Sequence, residues 1–361
     1  MVEVRLENLT KVFGKGVAAV DNLNLEINDK EFLVLLGPSG CGKTTTLRMI
    51  AGLEKPTSGD IYIGDRLVND VSEKDRDVAM VFQTFALFPH MNAFNNIAFP
   101  LKMHKYRKDE IKKQVNQVAE MLKISRLLDR SPGQLSGGEA QRVAVGRALV
   151  TKPKVFLLDE PLANLDAKLR VHTRVELKKL QKDIGITTIY VTHDQAEAMT
   201  MADRVAVMHE GKLRQLGSPS DLYDHPADLF VSGFIGSPAM NFMDCALEGN
   251  NFLVSDLFRL EIPEDFGKEV KEHATTSEVI LGVRPQDISL QEKEMSNSIG
   301  AEVYATEPLG SETIVDLMLG DKIIKVVASP TYHADSGEKV WITFKMDRIH
   351  ILDKKTEKAI V

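Results

Sequence analysis

Cysteine is scarce in this chain: Cys41 and Cys245 are the only two among 361 residues. Two thiols build neither a disulfide framework nor a four-cysteine zinc site, which fits a reducing compartment. Long apolar runs are missing as well. No stretch approaches the length that spans a bilayer, and "MVEVRLENLT" lacks a signal-peptide core. The expectation is a chain that stays in the cytoplasm, free to dock on a membrane partner. Surplus positive charge is also lacking. The formal net charge of −7 argues against nucleic acid, whose phosphates are held by excess Lys and Arg. The Lys-rich stretch "KMHKYRKDEIKK" (Lys102 to Lys113) is local and reads as a solvated helix face.

What is present is a globular balance, 43% hydrophobic and 27% charged residues, in a chain too long for one core to keep growing. Two domains are expected. "VEVRLE" and "LNLEI" alternate apolar and polar residues and predict half-buried antiparallel strands. "FLVLL", "VFLL" and "TIYV" are short unbroken apolar runs, as in parallel strands buried on both faces. Helical patterns lie between them. Ile111, Val115, Val118 and Leu122 recur at helical spacing, and "LRVHTRVELKKLQKDIG" ends on Gly185, a plausible C-cap. After "FIGSP" the texture changes to short alternating stretches, such as "VILGV", "ETIVDLML", "KIIKVVA" and "KVWITF", broken by Gly, Pro and Asp. That pattern predicts a small all-β domain beginning near residue 236.

"GPSGCGKTT" follows "FLVLL" and precedes a helix. It fits G-x-x-x-x-G-K-[ST] through Gly37, Pro38, Ser39, Gly40, Cys41, Gly42, Lys43 and Thr44, with Thr45 next. Bare N–H groups there can curl around phosphate oxygens at a helix N-terminus. Lys43 supplies a point charge for the outer phosphates, and the Thr44 hydroxyl can ligate Mg²⁺. Binding of a nucleoside triphosphate follows; the kind of P-loop protein stays open at this point.

"VFLLDEP" ends a buried strand in Asp159 and Glu160. A single carboxylate there is commonly a turn former. Two together beside a P-loop suggest a division of labour, Asp159 holding Mg²⁺ and Glu160 polarising the attacking water. "QLSGGEAQR" opens a helix, so Ser136 and the Gly137 and Gly138 amides can face an anion. "YVTHD" sets His193 at the end of another buried strand.

In this order these motifs, with "VFQTFALFPH" and "LLDEPLANLD", resemble the nucleotide-binding subunits of ATP-binding-cassette (ABC) transporters over residues 1 to about 235. The resemblance implies an α/β P-loop NTPase domain (residues 1–235), a mixed β core with a helical subdomain over about 84–150. An all-β, oligonucleotide-binding (OB)-like TOBE/MOP-type domain follows (residues 236–361). It implies that Phe13 stacks on adenine, that Gln83 reaches Mg²⁺ and the γ-phosphate, and that His193 contacts the γ-phosphate. It further implies that Asp166 lies at a dimer contact. Ser136, Gly137, Gly138 and Glu139 would complete the ATP site of a second copy. The implied assembly is a homodimer with two transmembrane permease subunits and an external solute-binding protein, peripheral on the cytoplasmic membrane face, without nucleic acid. ATP and Mg²⁺ are the implied cofactors.

"THDQAEAMTMADRVAVM", "GSPSDLYDHPADLF", "LGVRPQDISL" and "PLGSETIVDL" look like the ATPases of carbohydrate importers of the maltose and multiple-sugar type. Polyamine, iron and sulfate importers carry related tails and form the alternative. Two departures from the family pattern stand out. Glu139-Ala140 replaces a Gln and a basic residue, placing a negative charge that would weaken ATP capture, and Ala163 replaces a Ser. A soluble ABC ATPase of DNA repair or translation would carry a coiled-coil insertion or two cassettes, and neither is here. An unrelated P-loop kinase or GTPase would make "LSGGEAQR" and "VTHD" coincidences.

Overall fold

The structure is a computed structural model that describes residues 3–14 and 16–361; Val2, with which the expected first strand opens, lies outside them. Contacts divide the chain into two compact units, Met1–Pro219 and Ser220–Val361. Sequence texture alone puts the boundary near residue 236.

In the first unit, β1 (Val4–Phe13) and β2 (Val17–Ile27) pair antiparallel, with Val4 and Leu6 opposite Ile27 and Leu25. The unbroken run of β3 (Phe32–Leu36) is buried at every residue, as expected for a strand covered on both faces. Each such side chain contributes roughly 1.5–3 kcal/mol relative to exposure. The chain continues through α1 (Lys43–Ala51), β4 (Ser58–Ile63), β5 (Arg66–Leu67) and β6 (Val78–Val81). Three helices follow, α2 (Ala93–Met103), α3 (Lys108–Met121) and α4 (Gly137–Leu149), packed on one another. The face of α3 carrying Ile111, Val115 and Val118 is buried, and its charged face is exposed. Then come β7 (Val155–Asp159), α5 (Ala167–Ile184), β8 (Thr187–Thr192), α6 (Gln195–Met201), β9 (Arg204–His209) and β10 (Lys212–Gly217).

The α5 helix starts where the Asp166 carboxylate accepts the Leu169 N–H at 2.9 Å. It stops at Gly185, whose φ of 64° suits a residue without Cβ. Two sheets result. One is antiparallel, in the order β2-β1-β4-β5; the other runs β10-β9-β3-β8-β7-β6 and is parallel except for β10. The carboxyl ends of β6, β3, β7 and β8 therefore lie along one edge, where ligands of open parallel sheets bind.

The second unit contains α7 (Pro219–Asp224, divided at Pro219), α8 (Leu229–Phe234), β11 (Asn241–Glu248), β12 (Phe252–Val254) and β13 (Arg259–Glu261). It continues with α9 (Glu264–His273), β14 (Glu278–Val283), β15 (Ile288–Gln291) and β16 (Ile299–Pro308). The last strands are β17 (Thr313–Leu319), β18 (Lys322–Ala328), β19 (Lys339–Phe344) and β20 (His350–Asp353). Two antiparallel five-stranded sheets, β13-β12-β11-β14-β20 and β15-β19-β16-β17-β18, share one core through Leu281, Val283, Val303, Val315 and Ile342. The α9 helix is the element that strand alternation does not announce.

Candidate active site

The turn after β3 is shaped by close backbone approach. A Cβ on Gly42 (φ 105°) would lie 2.3 Å from the Ala19 carbonyl oxygen. One on Gly37 would lie 2.2 Å from that of Met208. Only glycine permits either contact. Lys43 opens α1 and is 5% exposed, and its Nζ donates to the carbonyl oxygens of Gly37 at 2.7 Å and Pro38 at 2.8 Å. The Cys41 Sγ lies 3.6 Å from the same ammonium.

The structure brings Thr44 and Asp159 together: the Thr44 hydroxyl donates to Oδ1 of Asp159 at 2.9 Å across the α1–β7 seam. Burial holds the Asp159 carboxyl above the usual carboxylate range, and the Thr44 hydrogen bond and Arg48 oppose the shift. A buried carboxylate beside a hydroxyl is a hard-oxygen pair of the kind Mg²⁺ selects. Glu160 stands at φ 44°, a strained turn for a residue with a Cβ, pinned by its N–H donating to the Val191 carbonyl at 3.0 Å. That turn aims its carboxylate at His193, with Oε2 3.2 Å from Nδ1.

Gln83 follows β6 with its side chain exposed, and its carbonyl accepts the Asn164 amide at 2.8 Å. Phe13 is 44% exposed at the end of β1, with the Lys11 ammonium 4.8 Å from its ring centroid. Among the described residues no side-chain hydrogen bond joins Ser136 to this cluster. A Cβ on Gly137 would meet Leu165 and one on Gly138 would meet Leu169, on either side of Asp166. Among the described residues the Ser136 side chain bonds only to Glu139.

Glu139 accepts the Ser136 N–H at 2.9 Å and its hydroxyl at 3.1 Å, forming a capping box at the start of α4. Those bonds, the backbone one foremost, hold its carboxyl below the usual range. The departure at Glu139 thus places a charge already engaged by the helix end it caps. The backbone N–H of Ala163 donates to the Glu160 carbonyl at 3.2 Å, a bond independent of the missing hydroxyl.

Three supporting groups escaped the sequence reading. Arg147 donates to the carbonyls of Ala86 at 2.7 Å and Phe85 at 2.9 Å, clamping the loop after Gln83. Its signal was a lone cation in the apolar helix "AVGRALV". Fully buried Asn96 holds the other end through the N–H and C=O of Phe88 and the Met91 carbonyl. Buried Glu197 accepts the hydroxyls of Tyr190 and Thr192, each at 2.7 Å, tying α6 to the strand that presents His193.

A glycine-rich turn between a buried parallel strand and a helix, with paired carboxylates ending the next strand but one, defines the P-loop nucleoside-triphosphatases. Comparison with known proteins narrows the class. Residues 20–163 match the ABC transporter family, 236–288 the MalK OB fold domain and 293–351 the TOBE domain. The trehalose/maltose import ATP-binding protein MalK of Thermococcus litoralis is 53% identical over 372 residues, covering 100% of both chains. The oligosaccharides import ATP-binding protein MsmX of Bacillus subtilis is 47% identical over 365 residues, again across 100% of both. Among solved structures, the dimeric post-hydrolysis state of the ATP-binding cassette MJ0796 bound to ADP and Pi superposes with a TM-score of 0.54. It is 36% identical and covers 60% of this chain and 98% of that one. The chain belongs to the ATP-binding proteins of ABC transporters, and it is an ATPase. None of the described helices is long and apolar enough to cross a membrane.

Proposed function

We propose that the chain powers import of a sugar, working as a homodimer on the cytoplasmic face of the membrane with two permease subunits and an external binding protein. What supports ATP hydrolysis is the pairing of Thr44 with Asp159 and of Glu160 with His193 at the ends of β7 and β8. The full-length similarity to sugar-import ATP-binding proteins supports the substrate class.

In this reading residues 1–235 are the ATPase domain, with residues 84–150 as its helical subdomain, and residues 236–361 are regulatory. Phe13 stacks on adenine, and the amides from Gly37 through Pro38, Ser39, Gly40, Cys41 and Gly42 to Thr45 wrap the phosphates. Lys43 exchanges its carbonyl partners for β- and γ-oxygens. Thr44 and Asp159, with Gln83, would hold Mg²⁺, which when bound neutralises charge on the phosphates. Glu160 takes the proton of the attacking water, while His193, 3.2 Å away, orients that carboxylate and touches the γ-phosphate. Ser136, Gly137, Gly138 and Glu139 act on the partner copy's nucleotide, and Asp166 lines the seam between copies.

Affinity purification from membranes tests the assembly, and uptake of labelled sugars by the reconstituted complex tests the cargo. Copurifying permeases that carry polyamine, iron or sulfate would replace the sugar reading.

A further inference from the structure

A pocket of about 190 Å³ opens in the first unit where α3, α4 and α5 meet. The three helices are tied together around it. Arg142 of α4 pairs with Glu176 of α5 at 3.0 Å, and Gly146 lets α4 approach Leu122, whose Cδ1 would stand 3.1 Å from a Cβ at that position. Buried Leu122, Val145 and Leu177 give the pocket apolar walls. Gln141 lines it from α4 and is 1% exposed, yet neither Oε1 nor Nε2 of its amide has a partner among the described residues. The other buried amide side chains among those residues, of Asn96, Gln181 and Asn241, each donate to backbone carbonyls.

A buried polar group left unpaired costs roughly 1–3 kcal/mol, and folded chains hold few of them. The Gln141 amide presents an acceptor and a donor side by side. An anion would satisfy its N–H and leave its oxygen without a donor, and a cation would do the reverse. A second amide meets both, giving N–H to Oε1 and taking N–H from Nε2. The apolar walls suit a flat ring behind that group. An engineered apolar cavity of about 150 Å³ takes benzene, so this slightly larger pocket has room for a ring with one polar substituent. The charges of Lys123, Lys179 and Asp183 are exposed at the mouth, clear of the interior. We propose that this pocket is a binding site for a small neutral aromatic or heterocyclic amide, paired through Gln141.

Calorimetric titration of the full chain with benzamide, acetophenone and benzoate tests the site. Saturating ADP keeps the probes out of the nucleotide position. Acetophenone replaces the amide nitrogen of benzamide by a methyl group, and benzoate replaces it by a charged oxygen. Benzamide is expected to bind at least about tenfold tighter than either. Gln141→Leu removes both polar atoms and should weaken benzamide binding at least about tenfold. Leu180→Trp, at a half-buried lining position on α5, fills the pocket while keeping Gln141 and should block benzamide as well. Thermal melting shows that each variant is folded. Three results overturn the site: no benzamide binding up to about 10 mM, acetophenone or benzoate binding as tightly, or undiminished binding in either variant. The first of these assigns the Gln141 amide to solvent.

Discussion

Oε2 of Glu160 and Nδ1 of His193 are 3.2 Å apart, although 33 positions separate them in sequence. Parallel pairing of β7 with β8 makes them neighbours, and the positive φ of Glu160 turns its carboxylate toward the imidazole. A carboxylate and an imidazole thus occupy adjacent strand ends.

Glu160→Gln keeps the size and hydrogen bonding of the side chain but cannot take a proton. ATP binding should survive while turnover falls by roughly 10²–10⁴. Equilibrium nucleotide binding and steady-state phosphate release measure the two halves; near-normal hydrolysis would remove Glu160 from the role.

Ser136 is bonded to Glu139 rather than to the P-loop. Lys43→Ala and Ser136→Arg chains should each be inactive alone. In a mixed dimer one site carries both lesions, and the other has an intact P-loop facing an intact capping box. Mixing should therefore restore ATP-dependent closure. If crosslinking detects mixed dimers that neither close nor trap nucleotide better than the parents, completion of the site in trans is wrong.

Phe88 packs on Phe99, ring centroids 4.7 Å apart, in the loop clamped by Arg147 and Asn96. The loop is thus held by polar bonds at both ends and leaves Phe88 half-buried. Phe88→Asp should uncouple transport while sparing soluble ATPase activity. A loss of folding, read by thermal melting, would instead make Phe88 a core residue.

His350 links stability to pH. Its pKa is about 4 when folded against an ordinary 6.5, so below pH 6.5 the unfolded chain binds the proton more readily. The resulting stability is fully present above pH 6.5 and is lost as pH falls toward 4, by at most about 3 kcal/mol. Denaturant melts across that range should lose much of their pH slope in His350→Gln; an unchanged slope assigns the linkage elsewhere.

Much of this architecture was legible because strand burial and phosphate chemistry leave short-range marks. "FLVLL" and "VFLL" read as strands covered on both faces, and β3 and β7 are buried throughout. Gly185 ends α5 as its place in the sequence predicts, whereas Asp166, expected at a dimer contact, also caps the start of that helix. Less legible were bonds between distant segments. The grip of Arg147 on Phe85 and Ala86 spans 62 and 61 positions, and no periodicity encodes it. The Tyr190–Glu197–Thr192 network hid because a glutamate near a helix start reads as a solvated cap residue. The α9 helix hid among strands because its ten residues bury little beyond Gly267 and Val270.

The carbonyl cradle of Lys43 has a consequence for what the turn can recognise. Its ammonium shed water when the chain folded, and Gly37 and Pro38 took over as partners. An arriving ligand must outcompete two oriented peptide dipoles rather than mobile solvent. A chain of phosphates brings several charges to that competition at once. The turn thereby filters by charge density, and the filter stands in the backbone before any nucleotide arrives.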